Sequence, residues 1–249
     1  MKKLAVFALL ILFTSPGFAQ VKIHSHNDYT HEQPLTEAYA NRVYEIEADV
    51  FLIQDSLIVA HSKKDKNLTR TLGSMYLSPI AQLHKDKSTK YGFCLMIDIK
   101  DNWDLTYPAL RKEIEKYGAI FDRSEHKNAI QIVISGNRPA DSTFHSYPKW
   151  LFFDGLPNIR YAKKDLKRVT MISDNFATYC KWKGNGEIPT ADKAKLKKII
   201  DQAHLLNKPI RFWGAPDTKE CWQQLHDLGV DIINTDKVSE CKTYFEQHK

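Results

Sequence analysis

Cysteine is scarce and scattered in this chain. Cys94, Cys180, Cys221 and Cys241 show neither CxxC nor zinc-finger spacing, which removes the usual thiolate metal and dithiol motifs. Unpaired core cysteines are expected, with Cys221 and Cys241, on successive predicted helices, the one conceivable disulfide. Past the N-terminus no apolar run reaches membrane length. No linker-like or low-complexity stretch divides the chain, so it reads as one domain. A basic arm is missing too: the net charge is +6, but the lysines are dispersed, which suits an anionic small molecule and argues against nucleic acid.

The N-terminus carries an export pattern. Lys2 and Lys3 precede the apolar run 4–13, and Gly17 and Ala19 are small residues suited to a signal peptidase. Residues 1–19 are therefore expected to be a signal peptide cleaved before Gln20, without a lipoprotein cysteine. The two lysines are the only charges in that stretch, so the remainder, 20–249, carries +4. It is expected to be a periplasmic or secreted monomer with no transmembrane segment after cleavage.

Short apolar runs recur between helical stretches, at 22–26, 44–52, 93–100, 129–135, 150–153, 169–173, 209–213 and 231–234. Most are apolar on both parities, as strands of a parallel sheet covered on both faces must be. Between them, Leu196, Ile199, Ile200, Ala203 and Leu206 follow helical spacing after a candidate cap at Thr190. Asp217 is a candidate cap for a helix carrying Trp222, Leu225 and Leu228 and ending at Gly229. Leu110, Ile114 and Tyr117 give another helix, closed by Gly118, whereas 151–168 is the least regular unit. Eight strands alternating with helices predict an α/β fold, a single-domain (β/α)8 TIM barrel, with its chemistry at the C-terminal strand ends.

Those ends hold a concentration of charge. Glu47 and Asp49 alternate with Ile46, Ala48 and Val50, so both acids face one side of a strand. Asp98 and Lys100 alternate with Ile97 and Ile99 in the same way. Three carboxylates at neighbouring strand ends form a hard oxygen site suited to one divalent cation, Mg2+ or Ca2+. An ion-pair network of Lys100 and an arginine is the plainer alternative. His24 and His26 share a face of the first strand, and His61 closes the run Leu57-Ile58-Val59-Ala60. Two histidines beside a metal suit general acid and base work near neutral pH.

These elements come in a recognisable order. His26…Pro34-Leu35, Ile46-Glu47-Ala48-Asp49-Val50, Val59-Ala60-His61, Met96-Ile97-Asp98-Ile99-Lys100, Phe212-Trp213-Gly214 and the run 229–236 resemble the glycerophosphodiester phosphodiesterase and phospholipase C-like superfamily. The opening His24-Ser25-His26-Asn27-Asp28-Tyr29 is most similar to its branch related to the yeast "altered inheritance of mitochondria" protein. The resemblance implies a phosphoric diester hydrolase acting on a glycerophosphodiester, phosphoinositide or other lipid-headgroup diester. It implies His26 and His61 as the acid/base pair, Glu47, Asp49 and Asp98 as metal ligands, and Lys100 beside the phosphate. Asn27 stands where the pattern has a phosphate-binding arginine, and Arg138 can replace that charge or serve as a surface arginine. Trp213, with Arg211 on the same strand face, is a candidate wall for the leaving group or plain core packing, His24 is a candidate substrate contact, and Asp236 is expected to cap the last helix.

Two other readings stay open. His24-x-His26 also resembles the opening of multi-metal amidohydrolase and polymerase-and-histidinol-phosphatase barrels, which gather further histidines. A barrel that binds a phosphorylated ligand without turning it over is the other.

Overall fold

The computed structural model describes residues 21–85, 91–126 and 128–248. The expected signal peptide, 1–19, lies outside them. The described strands are β1 (Lys22–Ser25), β2 (Glu45–Ile53), β3 (Ser56–Val59), β4 (Cys94–Ile99), β5 (Gln131–Gly136), β6 (Leu151–Gly155), β7 (Val169–Asn175), β8 (Ile210–Trp213) and β9 (Ile232–Thr235). The helices are α1 (Thr36–Ala40), α2 (Ser78–Lys85), α3 (Trp103–Glu115), α4 (Lys163–Leu166), α5 (Phe176–Tyr179), α6 (Thr190–Leu205), α7 (Lys219–Leu228) and α8 (Val238–Gln247).

Eight strands pair in parallel, from β1 through β2, β4, β5, β6, β7, β8 and β9 and back to β1, closing a single-domain TIM barrel. All eight strands anticipated from the apolar runs are in it. β3 lies outside the barrel, antiparallel on β2, with Val50 opposite Val59. That hairpin folds the chain back on itself, and Ala60 N–H bonds the Asp49 carbonyl, so His61 returns to the level of the acidic pair.

Alternation along β2 sorts the side chains. Ile46, Ala48 and Val50 are fully buried in the shell between strands and helices, together with Ile97 and Ile99 of β4. Each such branched side chain contributes about 1.5–3 kcal/mol by leaving water. Cys94, Met96, Val133, Met171 and Ile232 form a smaller cluster from the opposite parity, filling the barrel interior. The acids of β2 share that inward parity. All four cysteines are buried and free, so the conceivable Cys221–Cys241 bridge does not form.

Helix ends depart from expectation in two places. Thr190 is the first residue of α6, and the boundary residue is Pro189, which has no side-chain donor or acceptor to offer. Thr218, not Asp217, caps α7, its hydroxyl accepting Cys221 N–H. Asp217 is committed elsewhere: it accepts from Trp222 Nε1, Thr235 Oγ1 and Asp236 N–H. Gly229 ends α7 as expected, at φ 98°, a conformation that penalises any side chain with a Cβ. After β6, the irregular unit 151–168 has one helical turn among the described residues, α4.

Candidate active site

The C-terminal mouth of the barrel opens into a cavity of about 370 Å3. His26, His61, Glu47, Asp49 and Asp98 all line it, as do Lys100, Arg138, Trp213 and Asn27. Asp154, Ser173, Asp174 and Arg211 complete its floor and far wall. The sequence motifs therefore converge on one concavity, with one exception. His24 has no exposed surface and does not line the cavity: its imidazole is sandwiched between Glu45, 2.7 Å from Nδ1, and Glu47, 2.5 Å from Nε2. Direct substrate contact is closed to it. With both nitrogens taken, it also has none to offer a metal, which removes the main support for the multi-metal reading.

Glu47, Asp49 and Asp98 each present an oxygen such that all three atoms lie within 4.8 Å of one another. Protein donors hold one oxygen of each. Lys100 Nζ is 3.0 Å from Asp49 Oδ2 and 2.8 Å from Asp98 Oδ2, while His24 and Arg211 take Glu47 Oε2. Asp49 Oδ1 and Asp98 Oδ1 are buried with no partner. A buried carboxylate oxygen without a partner is costly. Two of them, on acids of the same cluster, fit the donor set of a hard cation. The ion-pair alternative describes half of this arrangement and leaves those two oxygens unexplained. Among the described residues, Lys100 pairs with Asp49 and Asp98, Arg211 with Glu47 and Asp154, and the His24 imidazole with Glu45 and Glu47.

The titration behaviour follows the same crowding. Burial and the neighbouring Glu47 charge push Asp49 up, and burial also raises Asp98. Burial would raise Glu47 as well, but its bond to His24 and the Arg211 charge hold it well below the usual carboxylate range. The backbone keeps room for this cluster at one glycine. Gly136, at φ 69°, sits so close to Asp98 that a Cβ would fall 2.0 Å from Oδ1 and 2.5 Å from the Ile99 carbonyl. Gly136→Ala is expected to cost about 1–3 kcal/mol from the backbone conformation alone, visible as a lower urea midpoint, and to displace Asp98.

His26 is oriented by a partner that sequence reasoning assigned elsewhere. Asp236 was expected to cap the last helix, but α8 has no side-chain cap. Its Oδ1 instead accepts from His26 Nδ1 at 2.7 Å, leaving Nε2 for the cavity. Burial pulls the His26 imidazole down, yet the Asp236 bond and the charges of Glu47 and Asp236 outweigh it, and the net shift is upward. Asp236 is held low chiefly by the same bond. Since His26 is raised, its stabilisation is complete at low pH and fades as pH climbs through its titration. The depressed Asp236 sets the opposite limit, losing its contribution as pH falls through its own. Asp236→Asn should lower the His26 midpoint in an NMR titration and move any activity limb that depends on protonated His26 to lower pH. An unchanged midpoint would refute this account of the pair.

The loop from β1 explains how His26 is held. Asn27 adopts a left-handed conformation, φ 47°, which asparagine tolerates better than most residues. The fully buried Asp28 anchors the turn from below, accepting from Ser25 Oγ, Leu35 N–H and Tyr76 OH. Tyr29 turns back to the site, its hydroxyl 2.9 Å from Asp49 Oδ2. Arg138 bonds Asp141 loosely at 3.5 Å, while its Nε has no partner.

The chain is thus a closed parallel barrel with acids and histidines gathered at its mouth. Comparison with known proteins supports the resemblance read from the motifs. The sequence model of the AIM6-like phosphodiesterase domain matches residues 14–94. The chain is 25% identical to the altered inheritance of mitochondria protein 6 homolog of Arthroderma benhamiae, across 92% of this chain and 85% of that one. It is 27% identical to altered inheritance of mitochondria protein 6 of Lachancea thermotolerans, across 88% of this chain but 64% of that longer one. Among solved structures it is similar to a glycerophosphodiester phosphodiesterase from Parabacteroides distasonis, with TM-score 0.59 at 16% identity over 92% of this chain and 99% of that one. An Oleispira antarctica phosphodiesterase, solved with the product sn-glycerol-3-phosphate, gives TM-score 0.57 at 11% identity over 90% of this chain and 96% of that one. The structural likenesses establish the fold. The names of the relatives correct one expectation: they point to mitochondria, not to export into the periplasm or medium. Among the described residues no helix is long and apolar enough to cross a membrane.

Proposed function

We propose that the chain is a metal-dependent phosphodiesterase that cleaves a small-molecule or lipid-headgroup phosphodiester by His/His acid–base catalysis. The observation that carries this reading is the pair of unpartnered oxygens, Asp49 Oδ1 and Asp98 Oδ1, in a cluster that shares its cavity with His26 and His61. Glu47, Asp49 and Asp98 would hold one divalent cation, Mg2+ or Ca2+. When bound, that ion would balance the acids and polarise a phosphoryl oxygen.

The chain's own groups divide the remaining work. His26, kept in one tautomer by Asp236, exchanges a proton at Nε2. His61, on the returning hairpin, handles the second proton. Lys100 supplies a cation beside the phosphate while bridging Asp49 and Asp98. Arg138, with its free Nε, serves the position that Asn27 cannot fill as a charge. Trp213, 42% exposed at the rim, offers an apolar wall for the alcohol. The product bound by the Oleispira enzyme favours a phosphodiester over other anionic ligands for this class of site.

The test is alcohol release from bis-p-nitrophenyl phosphate and glycerophosphodiesters, with and without EDTA. Activity lost with chelator and restored by Mg2+ or Ca2+ is expected. Turnover indifferent to EDTA, or a bound phosphate with no turnover of any diester, would overturn the proposal.

A further inference from the structure

Among the described residues the second histidine has no carboxylate partner. His61 is exposed at the mouth, and among the described residues its one hydrogen-bonded neighbour is the hydroxyl of Tyr29, 3.2 Å from Nδ1. Tyr29 is itself 2% exposed, and its hydroxyl has two further neighbours: Asn27 Oδ1 at 2.8 Å and Asp49 Oδ2 at 2.9 Å. A phenol has a single proton to give. The Asn27 and Asp49 oxygens only accept, so that proton goes to one of them. The imidazole must then be the donor for the third contact to be attractive.

Resting on the reading of His61 as an acid/base group, we propose that Tyr29 is its positioning residue: the phenol oxygen accepts Nδ1–H, fixing the tautomer that leaves Nε2 bare toward the cavity. A tyrosine phenol ordinarily titrates at about 10, so it carries its proton at neutral pH. The same turn follows directly on His26: Asp28 pins it from below, and Tyr29 spans from Asp49 to His61. A carboxylate in place of the phenol would add another negative charge to an already acid-rich cluster, whereas a hydroxyl orients the ring and adds none.

The test is made on the metal-free, 15N-labelled protein at a pH where His61 is neutral, using long-range 1H–15N spectra assigned with His61→Gln. Wild type should show Nδ1 protonated and Nε2 bare. Tyr29→Phe, which keeps the ring, should shift His61 toward the Nε2–H tautomer and lower kcat about tenfold or more with KM little changed. Tyr76→Phe, on the buried side of the same turn, should leave the His61 tautomer as in wild type. An Nε2–H tautomer in wild type overturns the proposal, even if Tyr29→Phe fails to fold. So does a Tyr29→Phe spectrum identical to wild type. The tautomer is read without turnover, so inactivity on every diester would defeat the proposed function while leaving this result standing.

Discussion

His26→Ala should lower kcat for phosphodiester cleavage by about 10²–10⁴-fold, the range spanned by a positioned acid/base group. The magnitude belongs toward the upper end because His26 is preorganised. Asp236 fixes Nδ1 at 2.7 Å, so no ordering remains to be done when the substrate arrives. KM should change little, since an imidazole that acts on a proton in flight contributes mainly to the transition state. His26→Ala and Asp236→Asn combined should be little worse than His26→Ala alone, because Asp236 acts through the ring. A His26→Ala enzyme within threefold of wild type would show that the proton moves through another group.

Arg211→Met should cost about 3–5 kcal/mol of folding stability, the usual penalty for breaking a buried charge network from one side. Arg211 is 3% exposed and lies across the floor of the cavity, its guanidinium 3.5 Å from Glu47 Oε2 and 3.3 Å from Asp154 Oδ2. Burial works against its charge, yet the surrounding acids hold it protonated. Methionine fills much of the volume but leaves both carboxylates facing an apolar floor. Their folded pKa values then rise above the unfolded ones, so the loss is full at neutral pH and shrinks as pH falls toward the unfolded carboxylate range, about 4. Urea melts at pH 7 and pH 5 measure both effects. A variant as stable as wild type at pH 7 would mean that the acids are neutralised by something other than Arg211.

The barrel was legible because a parallel sheet covered on both faces needs strands that are apolar on both parities, and eight such runs stand in the sequence. The inward acids were legible for the same geometric reason, since Glu47 and Asp49 break that pattern at alternate positions. Glu45 lies on the same parity, so its signal was present. Its pairing with His24 depends on the register between β1 and β2, which no single segment encodes. Asp154, at the end of the apolar run Leu151-Phe152-Phe153, is a similar signal left unread, and Arg211 was noted only as a neighbour of Trp213. The misread caps share one cause. Asp217 and Asp236 sit where local rules favour helix starts, but each has a tertiary donor within reach, and the tertiary bond wins. His61 reaches the mouth because a two-residue turn at Gln54-Asp55, with Ser56 already paired to Ile53, folds β3 back along β2. Tyr29, its neighbour there, gave no sign, because the link runs through space between residues far apart in the chain.

The central claim is that Glu47, Asp49 and Asp98 are gathered to hold a cation. Calorimetric titration of Mg2+ and of Ca2+ into the metal-free protein tests it most directly, with Asp49→Asn/Asp98→Asn run alongside. One ion per wild-type chain, and none in the double variant, is the predicted outcome. Absence of binding to wild type, or equal binding to the double variant, would contradict it.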